Sequence, residues 1–247
     1  MTTNTQIQGS PEEPTMTILD HLRELRSRLI KMFVALLIGT VISFSIAKPL
    51  LEFLARPVGS EKLVLLSPTE GVVIYFKVAL VCGLALAMPV IVYQLLAFIV
   101  PGLYAHERRY LYFILPSATI SFIGGVLFTY YVLLQAAIPF LQGFLADIFR
   151  PNWTLERYIS LVTGLMLWVG LAFETPLIMA FLARLGVVSP KRLASFRRYA
   201  IVLISILAAM ITPTVDPFNM AIVMGPLILL YEIGVLLARL AYRGPRA

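Results

Sequence analysis

The sequence predicts an all-α protein that crosses a membrane six times, and three observations carry that prediction. Hydrophobic residues make up 60% of the 247-residue chain and charged residues only 13%, with a mean hydropathy of +0.89. A soluble domain of this length has no core large enough to hide so much apolar surface. The charged residues fall in clusters that part six apolar segments. Within such a segment no water is at hand to satisfy backbone N–H and C=O groups, so each must be a helix.

Residues 1–15 (MTTNTQIQGSPEEPT) are polar and aperiodic, and are expected to form a mobile tail. A six-helix membrane domain is expected over residues 16–242, and a short C-terminal tail over 243–247. Thr17 and Asp20 stand at capping-box spacing at the head of the domain. Ile18, Leu22, Leu25 and Leu29 then recur on one helical face, while Asp20, Arg23, Glu24, Arg28 and Lys31 fall on the other. This predicts an amphipathic interfacial helix over 17–28 that leads into a first span at 29–47. Ser45-Ile46-Ala47 resembles a cleavage site behind a basic region, but the long apolar stretch and five further spans read as an anchor.

The segment Lys48–Gly71, with Arg56-Pro57 and Pro68, is expected to form a stiff cap between the first two spans. The second span, 72–100, is stopped by Pro101-Gly102; the third covers 110–134 and the fourth 158–182. Pro89, Pro116 and Pro176 fall inside these spans and are expected to bend them. The fifth span, 199–211, has room for about 20 Å of helix against a hydrocarbon core of about 30 Å. The sixth, 217–237, is also expected to be short, because its charge-free stretch ends before Glu232. Two short neighbours are expected to thin the bilayer around them.

Orientation follows from the basic residues. Placing both termini on one side gathers fourteen of the 20 Lys and Arg residues there: Arg23, Arg26, Arg28, Lys31, Arg108, Arg109, Arg184, Lys191, Arg192, Arg197, Arg198, Arg239, Arg243 and Arg246. The other side balances Lys48, Arg56, Lys62, Lys77, Arg150 and Arg157 with six acids, so the termini are assigned to the cytoplasm. The net charge of +7 is then a matter of topology and contact with membrane lipid, and nucleic acid is not an expected partner. A lone cysteine, Cys82, and two histidines in charged flanks, His21 and His106, make neither a disulfide framework nor a metal cluster. No nucleophile–base pair is evident and no cofactor is expected, so an enzyme is not the favoured reading. No internal repeat points to an inverted-repeat transporter.

Four acids stand out. Glu174 interrupts the uncharged run Tyr158–Ala183, where a carboxylate costs roughly 2.5–3.5 kcal/mol on insertion scales for Asp-like groups. It is either a functional group or a buried contact to another helix, through Gln94, Gln135 or Thr163. Thr175-Pro176 follows it, so kinked backbone and a carboxylate coincide, as in a wet recess. Glu24 precedes Arg28 by four residues, the spacing of a surface ion pair. Glu107 lies at the start of the third span, where the helix dipole favours an acid. Asp216 before Pro217 fits an N-cap, or else joins Glu174 as a partner-docking or intramembrane polar site. From the residues alone, the second reading is a proton-coupled secondary transporter titrating on Glu174.

The motifs HLRELRSRL (21–29), YAHERRY (104–110), FETP (173–176), Thr212-Pro213 with Asp216, and YEIGV (231–235) occur in that order. In sequence and spacing they resemble the TatC family, the core subunit of the twin-arginine protein translocase, over essentially the whole chain after the tail. The resemblance implies a receptor in the bacterial cytoplasmic (inner) membrane. Such a receptor binds twin-arginine signal peptides and assembles with itself and with TatA- and TatB-type single-span partners. Together they move folded proteins using proton-motive force. It further implies that Glu24 and Glu107 contact the arginine pair, that Arg26 belongs to the same surface, and that Glu174 is the intramembrane acid linked to partner helices. Carboxylates accept a planar guanidinium in a bidentate geometry that lysine cannot reproduce. Asn219 and Met220 stand where some family members carry an amide, and no role is assigned to either.

Overall fold

The structure, a computed structural model, describes residues 18–58, 63–99, 108–144, 148, 153–212 and 217–242. Among the described residues the first half of the chain forms α1 (Ile18–Phe44), α2 (Ala47–Ala55), α3 (Glu70–Ile99), α4 (Arg108–Phe128) and α5 (Leu134–Gly143). The second half forms α6 (Leu155–Phe173), α7 (Thr175–Arg184), α8 (Pro190–Ser195), α9 (Arg197–Ile211) and α10 (Pro217–Ala241). The expected interfacial helix and first span are one unbroken helix, α1. Among the described residues, five stretches are long and apolar enough to cross a membrane: His21–Phe44, Glu70–Leu95, Leu115–Gly143, Leu155–Arg184 and Pro217–Ala241. The fifth expected span corresponds to α9, whose 15 residues amount to about 22 Å of helix.

The expectation of a short sixth helix is corrected, because α10 runs for 25 residues. Glu232 does not end it. That carboxylate accepts from Arg197 Nη2 at 2.7 Å, and both side chains remain partly exposed, so the charge is carried without interrupting the helix. Pro89 and Pro116 lie inside continuous α3 and α4, whereas the break falls at Glu174, just before Pro176. A π-helical turn at Thr129–Leu133 joins α4 to α5 without ending the span.

Glycine sets the closest helix crossings. A Cβ on Gly39 would stand 2.5 Å from the Gly83 carbonyl oxygen, and one on Gly83 would stand 2.5 Å from Thr40 Cα. The α1 and α3 backbones therefore touch, as small residues permit in membrane helices. Gly125 of α4 meets Gly170 of α6 in the same way, 2.8 Å from its Cα to an added methyl. The core centres on α6, where Tyr158, Ile159 and Val162 are fully buried against Ile74, Leu134 and Ile138. Apolar side chains of α1 such as Phe33, Leu37 and Val41 stay exposed, as expected of a surface that meets lipid.

One end of the bundle is a polar cap. Tyr158 and Tyr130 donate to the carbonyls of Leu54 and Phe53 at 2.8 and 2.9 Å, satisfying the C-terminal end of α2. Val64 pairs with the strand-like approach to α6: its N–H donates to the Trp153 carbonyl and its carbonyl accepts from Leu155 N–H, both at 3.0 Å. The Glu70 carboxylate accepts from Leu66 N–H at 2.7 Å and from Glu156 N–H at 2.8 Å, so it caps α6 from another helix. The described residues of the segment expected as a cap are thus hydrogen-bonded to other elements at this end. The opposite end carries the start of α1, the end of α3, the turn between α7 and α9, and the end of α10; it is the basic end.

Candidate functional site

Because α1 is continuous, Glu24 and Arg28 share a face one turn apart. Arg28 Nε donates to Glu24 Oε1 at 2.9 Å, and Nη2 donates to the same oxygen. Its third nitrogen, Nη1, donates to Oε1 of Gln94 on α3 at 3.3 Å. The ion pair read from spacing is therefore real, but it is no free surface pair: the two side chains are only 19% and 21% exposed and are tied to a buried amide. The other carboxylate oxygen, Glu24 Oε2, is buried and has no hydrogen-bond donor among the described residues. Beside it, His21 stacks on Phe98 with ring centroids 4.4 Å apart. The outcome is a carboxylate held in one orientation, with one oxygen occupied and the second given no N–H among the described residues.

Arg26 is exposed and lies on another side of α1, so the structure does not bring it together with Glu24. Glu107 and Asp216 lie outside the described residues. The residues flanking the Glu107 segment do place it in the chain: α3 ends at Ile99, one turn past Leu95, and α4 begins at Arg108.

The second element of the site is Glu174, between α6 and α7. Pro176 has no N–H to give the preceding turn and its ring crowds it, so α6 stops at Phe173. Ser121 Oγ donates to the Phe173 carbonyl at the break at 2.7 Å. Glu174 is 5% exposed, and its Oε1 has no partner among the described residues. The expected contacts through Gln94, Gln135 and Thr163 do not form. Gln94 serves Arg28, Thr163 donates to the Ile159 carbonyl of its own helix at 2.6 Å, and Gln135 is exposed. Glu174 instead borders a recess of about 380 Å³ lined by Met88, Val92, Leu95, Leu177, Phe181 and others, with no second charged side chain in the lining. Leu95 and Phe98 of this lining flank Gln94 within one helical turn, so the recess extends toward the Glu24 cluster.

Three participants escaped the sequence reading. Gln94, expected as a contact for Glu174, accepts from Arg28 instead. Glu70 was read only as an outer acid, although Ser67-Pro-Thr-Glu70 carries the capping-box spacing that signals its role. Lys77, well inside α3, donates through Nζ to Ser160 Oγ of α6 at 2.6 Å.

Comparison with known proteins bears on this arrangement. The family described as Sec-independent protein translocase protein (TatC) matches residues 20–226. The chain belongs to the TatC family. The TatC protein of Aquifex aeolicus (strain VF5) is 41% identical over 234 residues, covering 92% of this chain and 97% of the relative. That of Deinococcus radiodurans is 42% identical over 238 residues, covering 93% and 88%. A crystal structure described as the twin arginine translocase receptor TatC superposes with a TM-score of 0.81 at 41% identity, covering 90% of this chain and 99% of the other. The chain is thus an all-helical TatC protein of the Sec-independent protein-transport machinery, and the resemblance read from five motifs is correct.

Proposed function

We propose that this TatC chain is the signal-peptide receptor of its translocase. In this reading it binds twin-arginine peptides at the Glu24 cluster together with Glu107. It sits in the cytoplasmic membrane as six spans with both termini inside, and assembles with further copies of itself. With TatA- and TatB-type partners it moves folded proteins using proton-motive force. The observation that supports the reading is Glu24 Oε2, a buried carboxylate oxygen without a donor among the described residues, beside one already held by a guanidinium. An incoming arginine supplies the missing N–H; Arg28 and Gln94 keep the acceptor oriented for it. A carboxylate offers about four lone-pair sites, so it can serve two guanidinium groups at once. Selection of arginine over lysine follows from the planar fork.

Peptide binding to the purified protein tests this. Glu24→Ala and Glu107→Ala are each expected to weaken a twin-arginine peptide by about 1–3 kcal/mol, the range for hydrogen bonds to charged groups. Lysine at either position is expected to do worse than alanine. A twin-lysine peptide is expected to bind the parent weakly. If both alanine variants bind as tightly as the parent, the receptor site lies elsewhere.

Glu174 fits a second role in the same reading. Its unpartnered oxygen and apolar recess support docking of a partner helix that brings one polar side chain. The transporter alternative finds less support, since a lining with one carboxylate and no other charge offers little to orient a small polar solute.

A further inference from the structure

The basic end of the molecule carries another recess, remote from Glu24 and Glu174 in the chain. We propose that it holds the phosphate-bearing headgroup of an anionic phospholipid. It lies where the α7–α8 turn meets the last turn of α10, has a volume of about 730 Å³, and is lined by Ser189, Pro190, Lys191, Ala194, Arg239 and Tyr242. Its walls are tied by hydrogen bonds between elements. Gly186 turns the chain out of α7 with φ of 74°, a conformation that suits glycine. Arg184 Nη1 donates to the Ala241 carbonyl at 3.2 Å, fastening the end of α7 to the end of α10. Tyr231 Oη donates to the Leu193 carbonyl at 2.8 Å, fastening α8 to α10. Ser189 Oγ accepts from Arg192 N–H at 3.3 Å and starts α8, so that Lys191 stands exposed on its first turn.

The lining of the recess is basic, and Arg239 also borders a neighbouring recess with Arg197 and Glu232. Lys191 and Arg239 have no hydrogen-bond or ion-pair partner among the described residues, and no carboxylate belongs to the lining. Glu232, two turns back on the same side of α10, is already held by Arg197. A phosphate monoanion or diester would meet both cations there. Free phosphate would use nothing more, but the surface beside the recess points to an amphiphile. Leu229, Ile233, Leu236 and Leu240 recur at helical spacing as an exposed stripe along α10 that ends next to Arg239 in sequence, and Val187 is exposed at the α7–α8 turn. Acyl chains lying along that stripe bring a headgroup to Arg239 and Lys191 without burying either cation's stem. Tyr242 adds an amphipathic ring of the kind found where lipid meets water. Basic pockets between membrane helices hold acidic headgroups by this combination.

Native mass spectrometry of the full chain in detergent, titrated with phosphatidylglycerol, tests the assignment. The parent is expected to retain phosphatidylglycerol and to retain phosphatidylcholine much more weakly. Lys191→Gln/Arg239→Gln is expected to lose about tenfold or more in phosphatidylglycerol affinity, given about 1 kcal/mol per basic residue near an anionic surface. Lys48→Gln/Arg157→Gln removes the same charge at the cap end and is expected to bind as the parent does. Lys191→Arg/Arg239→Lys keeps the charge and is expected to keep binding. Equal retention by the Lys191/Arg239 double variant and the parent overturns the proposal. So does an equal loss in the cap-end control, which would mean net charge alone governs binding. Displacement of phosphatidylglycerol by equimolar inorganic phosphate would show an anion site with no lipid component, and also overturns it.

Discussion

Replacing Gly83 by alanine is expected to part α1 from α3 and, through that movement, to loosen the Glu24 cluster far away. The added methyl would stand 2.5 Å from both Thr40 Cα and Thr40 N, and 2.6 Å from Thr40 Oγ1. Carbon atoms find their optimum near 3.5–4.0 Å, so the two helices must separate locally by about 1 Å. Two of the three obstructing atoms are backbone, which no rotamer change can clear. Overpacking of this kind costs about 1–3 kcal/mol, offset in part by alanine's better helix propensity, worth up to about 1 kcal/mol.

The consequence for the site follows from rigidity. Gln94 lies eleven residues beyond Gly83, about 16 Å along α3. Its bond from Arg28 Nη1 is already long at 3.3 Å and has no slack for a wider helix pair. Glu24 then loses the brace that orients its carboxylate. Gly83→Ala is therefore expected to melt several degrees below the parent in detergent and to bind twin-arginine peptide more weakly. Gly124→Ala is the control, since a methyl there meets nothing within 4 Å. If Gly83→Ala melts and binds like Gly124→Ala, the close approach of α1 to α3 is not a feature of the folded protein.

Gly125→Ala, one residue from the control, is expected to be as disruptive as Gly83→Ala, because its methyl meets the Gly170 backbone at 2.8 Å; comparing melting temperatures of the two neighbours checks this. Glu174→Gln is expected to preserve cross-linking to TatA- or TatB-type helices and Glu174→Ala to weaken it, with peptide binding intact in both; equal cross-linking would remove the docking role. Glu70→Ala is expected to speed hydrogen exchange at Leu66, Ser67 and Glu156, whose N–H groups the carboxylate holds, while amides in the middle of α3 stay protected. Spin labels along α9 are expected to show a narrower apolar plateau than labels along α3, because 15 helical residues fall short of the hydrocarbon thickness.

The spans were legible because charge clusters and prolines mark their ends by simple rules, and Glu174 was legible because a carboxylate in an apolar run has few structural excuses. The break beside it was legible too, since Pro176 removes a backbone donor at a known place. Other features depend on which helix lies against which. Gly124 and Gly125 read alike in sequence, yet only Gly125 faces another backbone. Gln94 could serve any polar group within reach, and the α1–α3 crossing gives it to Arg28. The π-helical turn at Thr129–Leu133 hides because one extra residue barely disturbs an apolar period. Helix α2 was missed as a helix because Lys48 and Pro49 open it, although its carbonyls find tyrosine donors from distant helices.

The two acids of the site differ in a way that suits two kinds of visitor. Glu24 is partly exposed, already paired with a cation, and oriented by a neighbour. A second guanidinium arriving from water can join such a carboxylate while the first shares its charge, so the acid need not be stripped of all hydration. Glu174 has no cation near it in its lining and borders an apolar recess. A group that reached it through lipid would find a full charge costly to carry, so a neutral hydrogen-bonding side chain on a helix is the better match. Swapping the chemistry provides a sharp check: a peptide arginine delivered to Glu174, or a neutral amide offered to Glu24, is expected to bind poorly at either place. In the proposed reading, the recess beside Glu174 reaches along α3 by Leu95 and Phe98 toward the Glu24 cluster, so a peptide site and a docking site would lie on one side of that helix.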